Sequence, residues 1–280
     1  MSTLERRRTF VESEGSPRVM GVVRSEFIKI TSLRSTVGLL LSIVVIGIGV
    51  SVLLALTMYD AGLPETPTVG FMLDQVTIGT VLFGQLIAGV LGALVISGEY
   101  SSGSIQTTLI AVPSRLTVLG AKAAVVFGTV TGAGLVAAFG SWAVTYPMFA
   151  GYGLDIGLRE PGVLLALVGT AVYIGLTAVL GLGVGTLLRS VAASVATVIS
   201  IILLLPLVLS VLPASQVVRN IHLLTMSKAG DAMSSSAADG TGFVDLVDGF
   251  VSPGAGWIVA AVWAAVLLVL GGIRFTRRDT

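Results

Sequence analysis

Long apolar runs alternate with short polar segments along most of the chain. A helix needs about 20 mainly apolar residues to cross a bilayer. Six runs have about that length or more, which predicts six membrane-spanning helices at residues 37–57, 76–97, 118–149, 163–188, 191–212 and 257–273. Only Arg189 and Ser190 separate the fourth run from the fifth, and so short a break predicts a tight hairpin between antiparallel helices.

The composition agrees with an integral membrane protein. Hydrophobic residues make up 54% of the chain and charged residues 11%, whereas soluble domains carry about 25% charged residues. The sequence has no cysteine, which excludes disulfide bonds, thiolate metal sites and cysteine nucleophiles. Residues 1–36 are polar or amphipathic, so we do not expect an N-terminal signal peptide, whose apolar stretch would come earlier.

The basic residues are divided unevenly between the two sides that six spans create. One side receives both termini and the segments after the second and fourth spans. It holds 13 of the 16 Lys and Arg residues, while most acidic residues fall on the other side. Because Lys and Arg accumulate in cytoplasmic loops, we predict a multi-pass protein of the plasma membrane with both termini in the cytoplasm.

The segment before the first span divides into two parts. Residues 1–16 are charged and aperiodic, which predicts a disordered cytoplasmic tail. Residues 17–36 show helical periodicity, with apolar positions at spacings of four, four and three. These positions are Val19, Val23, Phe27 and Ile30. The pattern predicts an amphipathic helix along the cytoplasmic membrane surface.

The segment between the second and third spans is longer than a hairpin requires. Ser101 or Ser102 could cap a short helix over residues 104–111, and Pro113 would end it. Such a helix on the cytoplasmic side could shield the bundle, or it could dock a soluble partner. The predicted fold class is therefore an all-α integral membrane protein with six transmembrane helices, an N-terminal interfacial helix and this short cytoplasmic helix.

Residues 213–256 form a predicted external loop that is too long for a plain connection. Its stretch 216–225 is apolar enough for a short re-entrant or interfacial helix, and residues 234–242 are small and polar, which predicts a mobile tip. Residues 274–280 form a predicted cytoplasmic tail.

Motifs for catalysis are missing. The sequence has no Gly-Lys dipeptide and thus no phosphate-binding loop, which excludes a P-loop ATPase. His222 is the one histidine, and it falls in the external loop. The stretch around Ser97 is similar to the Gly-x-Ser-Gly of intramembrane serine proteases, but it lacks the first Gly and no histidine in a later span could activate the serine.

Few polar groups fall within the predicted spans. Lys122 and Arg189 lie at span ends, where their side chains can extend to water. No acidic residue falls in mid-span, which argues against a proton- or sodium-coupled carrier. The mid-span polar residues are predicted to make hydrogen bonds between helices; they are Gln85, Tyr173, Thr177 and Ser200.

Small residues recur every four positions in two spans, and this spacing predicts faces where helix backbones pack closely. In the third span they are Gly120, Ala124, Gly128 and Gly132, and in the fourth Gly181 and Gly185.

Two stretches carry distinctive motifs. Residues 94–109 read Leu-Val-Ile-Ser-Gly-Glu-Tyr-Ser-Ser-Gly-Ser-Ile-Gln-Thr-Thr-Leu, and residues 112–115 follow with Val-Pro-Ser-Arg. Residues 24–35 read Arg-Ser-Glu-Phe-Ile-Lys-Ile-Thr-Ser-Leu-Arg-Ser. The first stretch resembles a motif of the ABC-2 type permeases, the membrane subunits of ATP-binding-cassette exporters, and the second is similar to the opening of actinobacterial members. The resemblance extends over essentially the whole chain. Gln106 differs from the Arg or Lys that many members carry there.

The resemblance implies half of a membrane pathway, completed by a second permease copy or close relative, and driven by separate ATPase subunits. ATP would be bound by those subunits, with no cofactor on this chain and no nucleic acid as a partner. A coupling segment at residues 99–109 would contact the ATPase through Glu99, Tyr100, Ser104, Ile105, Gln106 and Leu109. The interfacial helix would contribute Arg24, Glu26, Phe27, Lys29 and Arg34.

Two roles within this segment follow from its pattern. Ile105 and Leu109 are four residues apart and are expected to seat in a groove of the partner. Glu99 would cap the short helix or pair with a cation of the partner. The alternatives to an exporter subunit are a membrane anchor for a soluble protein and, with less support, an intramembrane hydrolase.

Overall fold

The computed structural model describes residues 19–61, 68–151, 153, 157–213, 215–236, 244–245 and 250–277. The predicted disordered tail lies outside the described residues, as do Pro17, most of the predicted mobile tip and the last three residues.

The described residues are almost entirely helical. The helices are α1 Val19–Ser32, α2 Arg34–Ala61, α3 Val69–Ile78, α4 Gln85–Ser101, α5 Ser104–Ala111, α6 Arg115–Gly151, α7 Val163–Leu188, α8 Val191–Ile199, α9 Leu205–Val211, α10 Gln216–Leu223, α11 Met226–Met233 and α12 Pro253–Arg277. Two π-helical stretches, Gly79–Gly84 and Ser200–Leu204, join α3 to α4 and α8 to α9. Two antiparallel two-residue strands, β1 Val244–Asp245 and β2 Phe250–Val251, precede α12.

The prediction of six spans is confirmed, because among the described residues six helices are long and apolar enough to cross a membrane. They are α2, α3–α4, α6, α7, α8–α9 and α12. The fourth prediction matches α7 residue for residue, and the tight hairpin at Arg189 and Ser190 is present. Several helices run beyond the predicted apolar runs. In particular, residues 274–277, predicted as tail, form the last turn of α12.

The centre of the bundle is α7, which is the most enclosed of the six spans and packs against α4, α6 and α12. Glycines allow α4 and α7 to approach closely. A Cβ added at Gly92 would lie 1.8 Å from the carbonyl oxygen of Ala178, and one at Gly181 would lie 2.0 Å from that of Gly89. No side chain fits at either position, so backbone contacts fix the distance between these two helices.

The small-residue faces of α6 and α7 have different roles. Gly181 and Gly185 contact α4, as their spacing predicts. Gly120, Gly128 and Gly132 of α6 have no atom of the described structure within 4 Å of an added Cβ. These three glycines of the α6 stripe therefore do not pack against the described part of this chain.

A proline links the fifth span to the helices that follow it. Pro206 has no N–H and cannot donate to the carbonyl of Ile202, four residues earlier. That carbonyl instead accepts a hydrogen bond of 2.7 Å from Ser227 Oγ of α11. Thus α11 is attached to the bundle at the end opposite α5. The predicted helix at 216–225 is present as α10.

Candidate functional site

Four charged side chains form an ionic network at the end of the bundle where α1 and α5 lie, called here the α5 end. The network consists of Glu26 and Lys29 of α1, Glu99 of α4 and Lys122 of α6. Lys122 Nζ donates to Glu26 Oε2 and, at 2.8 Å, to Glu99 Oε1. Lys29 Nζ contacts Glu26 Oε1 at 2.8 Å, Glu99 Oε1 at 3.2 Å and Thr108 Oγ1 of α5 at 3.2 Å.

Most of this network is shielded from water. Glu26 and Lys122 are fully buried, whereas Lys29 is partly exposed. Burial alone would raise the pKa of Glu26, but attraction and hydrogen bonds from Lys122 and Lys29 outweigh it and hold that pKa below its ordinary value. Burial would likewise lower the pKa of Lys29, but its contacts with Glu26 and Glu99 keep it above the ordinary value.

The chain brings these residues together through its antiparallel order. Glu99 lies two residues before the end of α4 and Lys122 lies seven residues after the start of α6, so the connection through α5 returns both to the same end of the bundle. Glu26 and Lys29 are three residues apart and share one face of α1. The expectation that Lys122 extends to water is wrong: two carboxylates hold it inside the protein.

The short helix α5 has the predicted range but a different N-cap residue. Its N-cap is Gly103, with φ of 73° and no side-chain hydrogen bond to the helix. The predicted serine caps are thus wrong. Glu99 does not cap α5 either, because its Oε1 pairs with the chain's own lysines.

The predicted docking role of Ile105 is not compatible with its position. Ile105 is buried in a cluster with Ile96, Leu119, Leu182 and Phe275, and Leu109 packs against the same cluster. These side chains hold α5 on its own bundle and are not free to enter a groove of another protein. The exposed positions of α5 include Ser104, Gln106, Thr107 and Ile110, and 81% of Ile110 is exposed.

Arginines and aromatic rings surround the other side of α5. Arg115 donates to the carbonyl oxygen of Phe275 at 2.9 Å, and Arg189 donates to that of Arg274 at 3.3 Å. Arg189 also lies over the ring of Tyr100, with 5.1 Å from its Cζ to the ring centroid. The two arginines therefore tie the end of α12, whose last carbonyls carry partial negative charge, to the ends of α6 and α7. A cavity of about 530 Å³ lies between these groups and α5.

The helix α1, which is predicted to be interfacial, has two faces. Val22, Glu26 and Ile30 are buried against the protein. Of the other residues predicted for this helix, Arg24 and Phe27 lie outward and are exposed. Arg34 is also exposed, but α1 ends at Ser32 and Arg34 is the first residue of α2. Large apolar side chains are also exposed on α1: Val19, Met20, Phe27 and Ile28.

A second cavity, of about 750 Å³, separates α1 and the start of α2 from the end of α4 and α5. We call it the α1 cavity. One part of its wall is apolar and includes Leu39, Leu91 and Leu94. The other part carries hydroxyl groups together with Lys29, Glu99 and Lys122 of the ionic network.

The remaining polar groups of the spans mostly hydrogen-bond within the bundle. Tyr173 donates to Gln85 across the α4–α7 contact, while Thr177 and Ser200 bond to carbonyls of their own helices. Ser97 donates to the carbonyl of Ala93 at 2.7 Å. His222 lies on α10, where burial and Lys228 lower its pKa. Within the described ranges no three His, Cys, Asp or Glu residues are grouped to hold a metal ion.

Sequence reasoning missed Lys122 and Thr108 as members of the site. A signal for Lys122 was present, because an acidic and a basic residue flank α5 at the ends of two consecutive spans. No pattern indicated that α1 would supply their partners. No protein-family model matches the chain, and no curated protein matches it.

Proposed function

We propose that the chain is the permease subunit of an ATP-driven exporter. It would form half of a membrane pathway, and a separate ATPase would dock at the α5 end and supply the energy. The resemblance of residues 24–35 and 94–115 to ABC-2 permeases motivates this proposal. The structural observation that carries it is the buried ionic network, which joins α1, α4 and α6 directly beside α5.

This network suits a coupling role for a mechanical reason. Glu99 lies at the end of the second span, just before α5, and contacts α1 and α6 through its lysine partners. Ile105 fixes α5 on the other side to a cluster that includes α7 and α12. A displacement of α5 would therefore be passed to several spans at once.

The exposed side of α5 is the proposed docking surface. Ile110 is an isolated large apolar side chain there, four residues after the exposed Gln106. An aspartate at position 110 would place a charge in a docked interface, which is costly when the charge is unpaired. Since Ile110 is exposed in the free chain, the Ile110→Asp variant should fold normally.

The experiment isolates the tagged chain from its native host and measures both the retained proteins and their ATP hydrolysis. We expect a soluble protein with a phosphate-binding loop, and its loss in Ile110→Asp. Val217→Asp, which alters an exposed apolar residue of α10, is the matched control and should retain the ATPase. Compounds that stimulate the ATP hydrolysis would identify substrate candidates and separate an exporter from a passive anchor. Equal ATPase retention by both variants would reject α5 as the docking element.

The proposed orientation places the α5 end in the cytoplasm. Because the chain has no cysteine, a single introduced cysteine reports on one position. Ser114→Cys, after α5, should be protected from an impermeant thiol reagent in intact cells. Glu160→Cys, in the exposed segment before α7, should be labelled. Labelling of Ser114→Cys together with protection of Glu160→Cys would place the α5 end outside the cell and reject the proposed orientation.

We also propose that two permease subunits assemble. Gly120, Gly128 and Gly132 on α6 meet nothing in the described part of the chain, which supports a close contact with a helix of another subunit. Mass measurement of the purified complex should give two permease chains, and one permease chain in an active complex would reject the assembly.

A further inference from the structure

The α1 cavity contains a polar atom that the protein leaves unsatisfied. Glu99 lines the cavity, and its Oε2 is buried without a hydrogen-bond partner among the described residues, whereas its Oε1 accepts from Lys29 and Lys122. A buried carboxylate oxygen without a donor is costly. A group that completes the hydrogen bonding of this oxygen is therefore a donor.

The charges of the network decide what kind of donor fits. Glu26, Lys29, Glu99 and Lys122 together carry no net charge. All three N–H groups of the Lys29 ammonium have acceptors, namely Glu26, Glu99 and Thr108. An anionic group would meet the open carboxylate oxygen, which repels it, while the ammonium groups of Lys29 and Lys122 are each already paired with both carboxylates. A cation with N–H groups would instead satisfy Oε2 and add a charge-assisted hydrogen bond.

The walls of the cavity decide the rest of the ligand. From Glu99 the α4 wall leads through Val95 and Leu94 to Leu91, and Leu39 of α2 lies on the apolar side. At 1.5 Å per residue the distance from Glu99 to Leu91 is about 12 Å along the helix. A volume of about 750 Å³ is in the range of small-molecule sites. The site is thus polar at one end and apolar at the other.

We propose that the α1 cavity binds one amphiphile with a protonated amine head and an apolar chain, the N–H groups donating to Glu99 Oε2. Two sources have this chemistry, a membrane phospholipid with an ethanolamine head and a free long-chain amine. The proposal does not depend on the exporter function, since its test measures binding in the absence of any ATPase.

The test uses the purified full chain in phosphatidylcholine nanodiscs, with native mass spectrometry to count retained amphiphiles. Dodecylamine and dodecyltrimethylammonium serve as probes because they have the same charge and chain but differ in N–H groups. We expect about tenfold greater retention of dodecylamine, the order expected for one hydrogen bond to a charged group.

Two matched glycine variants localise the binding. Gly98 lines the cavity and an added Cβ there meets no atom within 4 Å, so the side chain of Gly98→Leu starts in open space and occupies part of the site. Gly49→Leu makes the same change at an equally open position of α2, outside the cavity lining. Dodecylamine retention should fall about tenfold in the first variant and stay unchanged in the second. Thr107→Trp, at an exposed lining position of α5, replaces Gly98→Leu if that variant misfolds.

Nanodiscs with equal amounts of phosphatidylethanolamine and phosphatidylcholine distinguish the sources. Selective retention of phosphatidylethanolamine, lost in Gly98→Leu, identifies the lipid as occupant. Dodecylamine binding without selective lipid retention identifies a free amine. Equal retention of the two dodecyl probes overturns the proposal. Wild-type retention of dodecylamine in both Gly98→Leu and Thr107→Trp, the two variants that fill the cavity, also overturns it.

Discussion

Lysine–carboxylate pairs at the two ends of the bundle differ in their surroundings. At the α5 end, Lys122 is 1% exposed and lies between Glu26 and Glu99. At the opposite end, Lys228 and Asp231 lie 3.1 Å apart, with 41% and 57% of their side chains exposed. Both ends join a lysine to carboxylates, but only Lys122 is shielded from water.

Burial decides how strongly the bundle is destabilised when one partner of an ion pair is removed. An exposed pair contributes about 0–1 kcal/mol, because water screens it and both side chains lose freedom. A buried pair contributes little relative to apolar residues, yet removal of one partner leaves a charge without water or a counterion. We therefore expect the network at the α5 end to specify how α1, α4 and α6 fit together, and the exposed pair on α11 to be dispensable for stability.

The largest expected effect comes from removing one lysine at each end. Lys122→Met leaves the buried Glu26 without its main partner and should reduce the free energy of unfolding by about 3–5 kcal/mol. Lys228→Met should reduce it by no more than about 1 kcal/mol. Titration of the purified variants with a denaturing detergent measures both. Similar reductions of the free energy of unfolding in Lys122→Met and Lys228→Met would contradict the proposed difference between the buried network and the exposed pair.

A double-mutant cycle sharpens the comparison. Glu26→Gln removes the charge that Lys122→Met leaves unpaired, so the double variant should be more stable than the sum of the single losses predicts. We expect a coupling energy of about 1–3 kcal/mol. The matched cycle of Lys228→Met with Asp231→Asn should give about 0.5 kcal/mol or less. Additive losses at positions 26 and 122 would show that the two side chains act independently.

The pH dependence of stability gives a smaller effect. The pKa of Glu26 is lowered from 4.5 in the folded state, so its contribution is present above pH 4.5 and is lost as the pH falls through the folded-state pKa. The pKa of Lys29 is raised from 10.5, so its contribution is present below pH 10.5 and is lost as the pH rises through the folded-state value. The stability difference between wild type and Glu26→Gln should therefore be constant near neutral pH and shrink in acid. A difference that grows in acid would contradict the assigned direction.

The smallest effect is the response to salt. Exposed charges are screened at about 1 M salt, where the Debye length is about 3 Å. The loss caused by Lys228→Met should thus shrink by a few tenths of a kcal/mol, while the loss caused by Lys122→Met should stay nearly unchanged. The measurement repeats the denaturing titration at low and high salt. A strong salt dependence of Lys122→Met would indicate that water enters the network.

The sequence by itself determined the six spans and the range of α5. Each span is a long, mainly apolar run, and lipid favours a helix for such a run because every backbone group must bond within it. Residues 163–188 match α7 for this reason. Pro113 and the polar residues around 101–104 likewise bound the apolar stretch that becomes α5. These are local properties, and no knowledge of neighbouring helices is needed to find them.

Only the tertiary structure decided which side of each helix meets the protein. The α6 and α7 glycines have the same spacing, yet those of α7 meet α4 and those of α6 meet nothing in the described chain. Ile105 has the pattern of a docking residue, but its neighbours come from α4, α6, α7 and α12. Lys122 has the pattern of a residue that extends to water, but Glu26 lies 96 positions away in the sequence. Periodicity within one helix carries no information about such distant partners. Burial by these partners determines whether a side chain, charged or apolar, stabilises the bundle or remains free for binding.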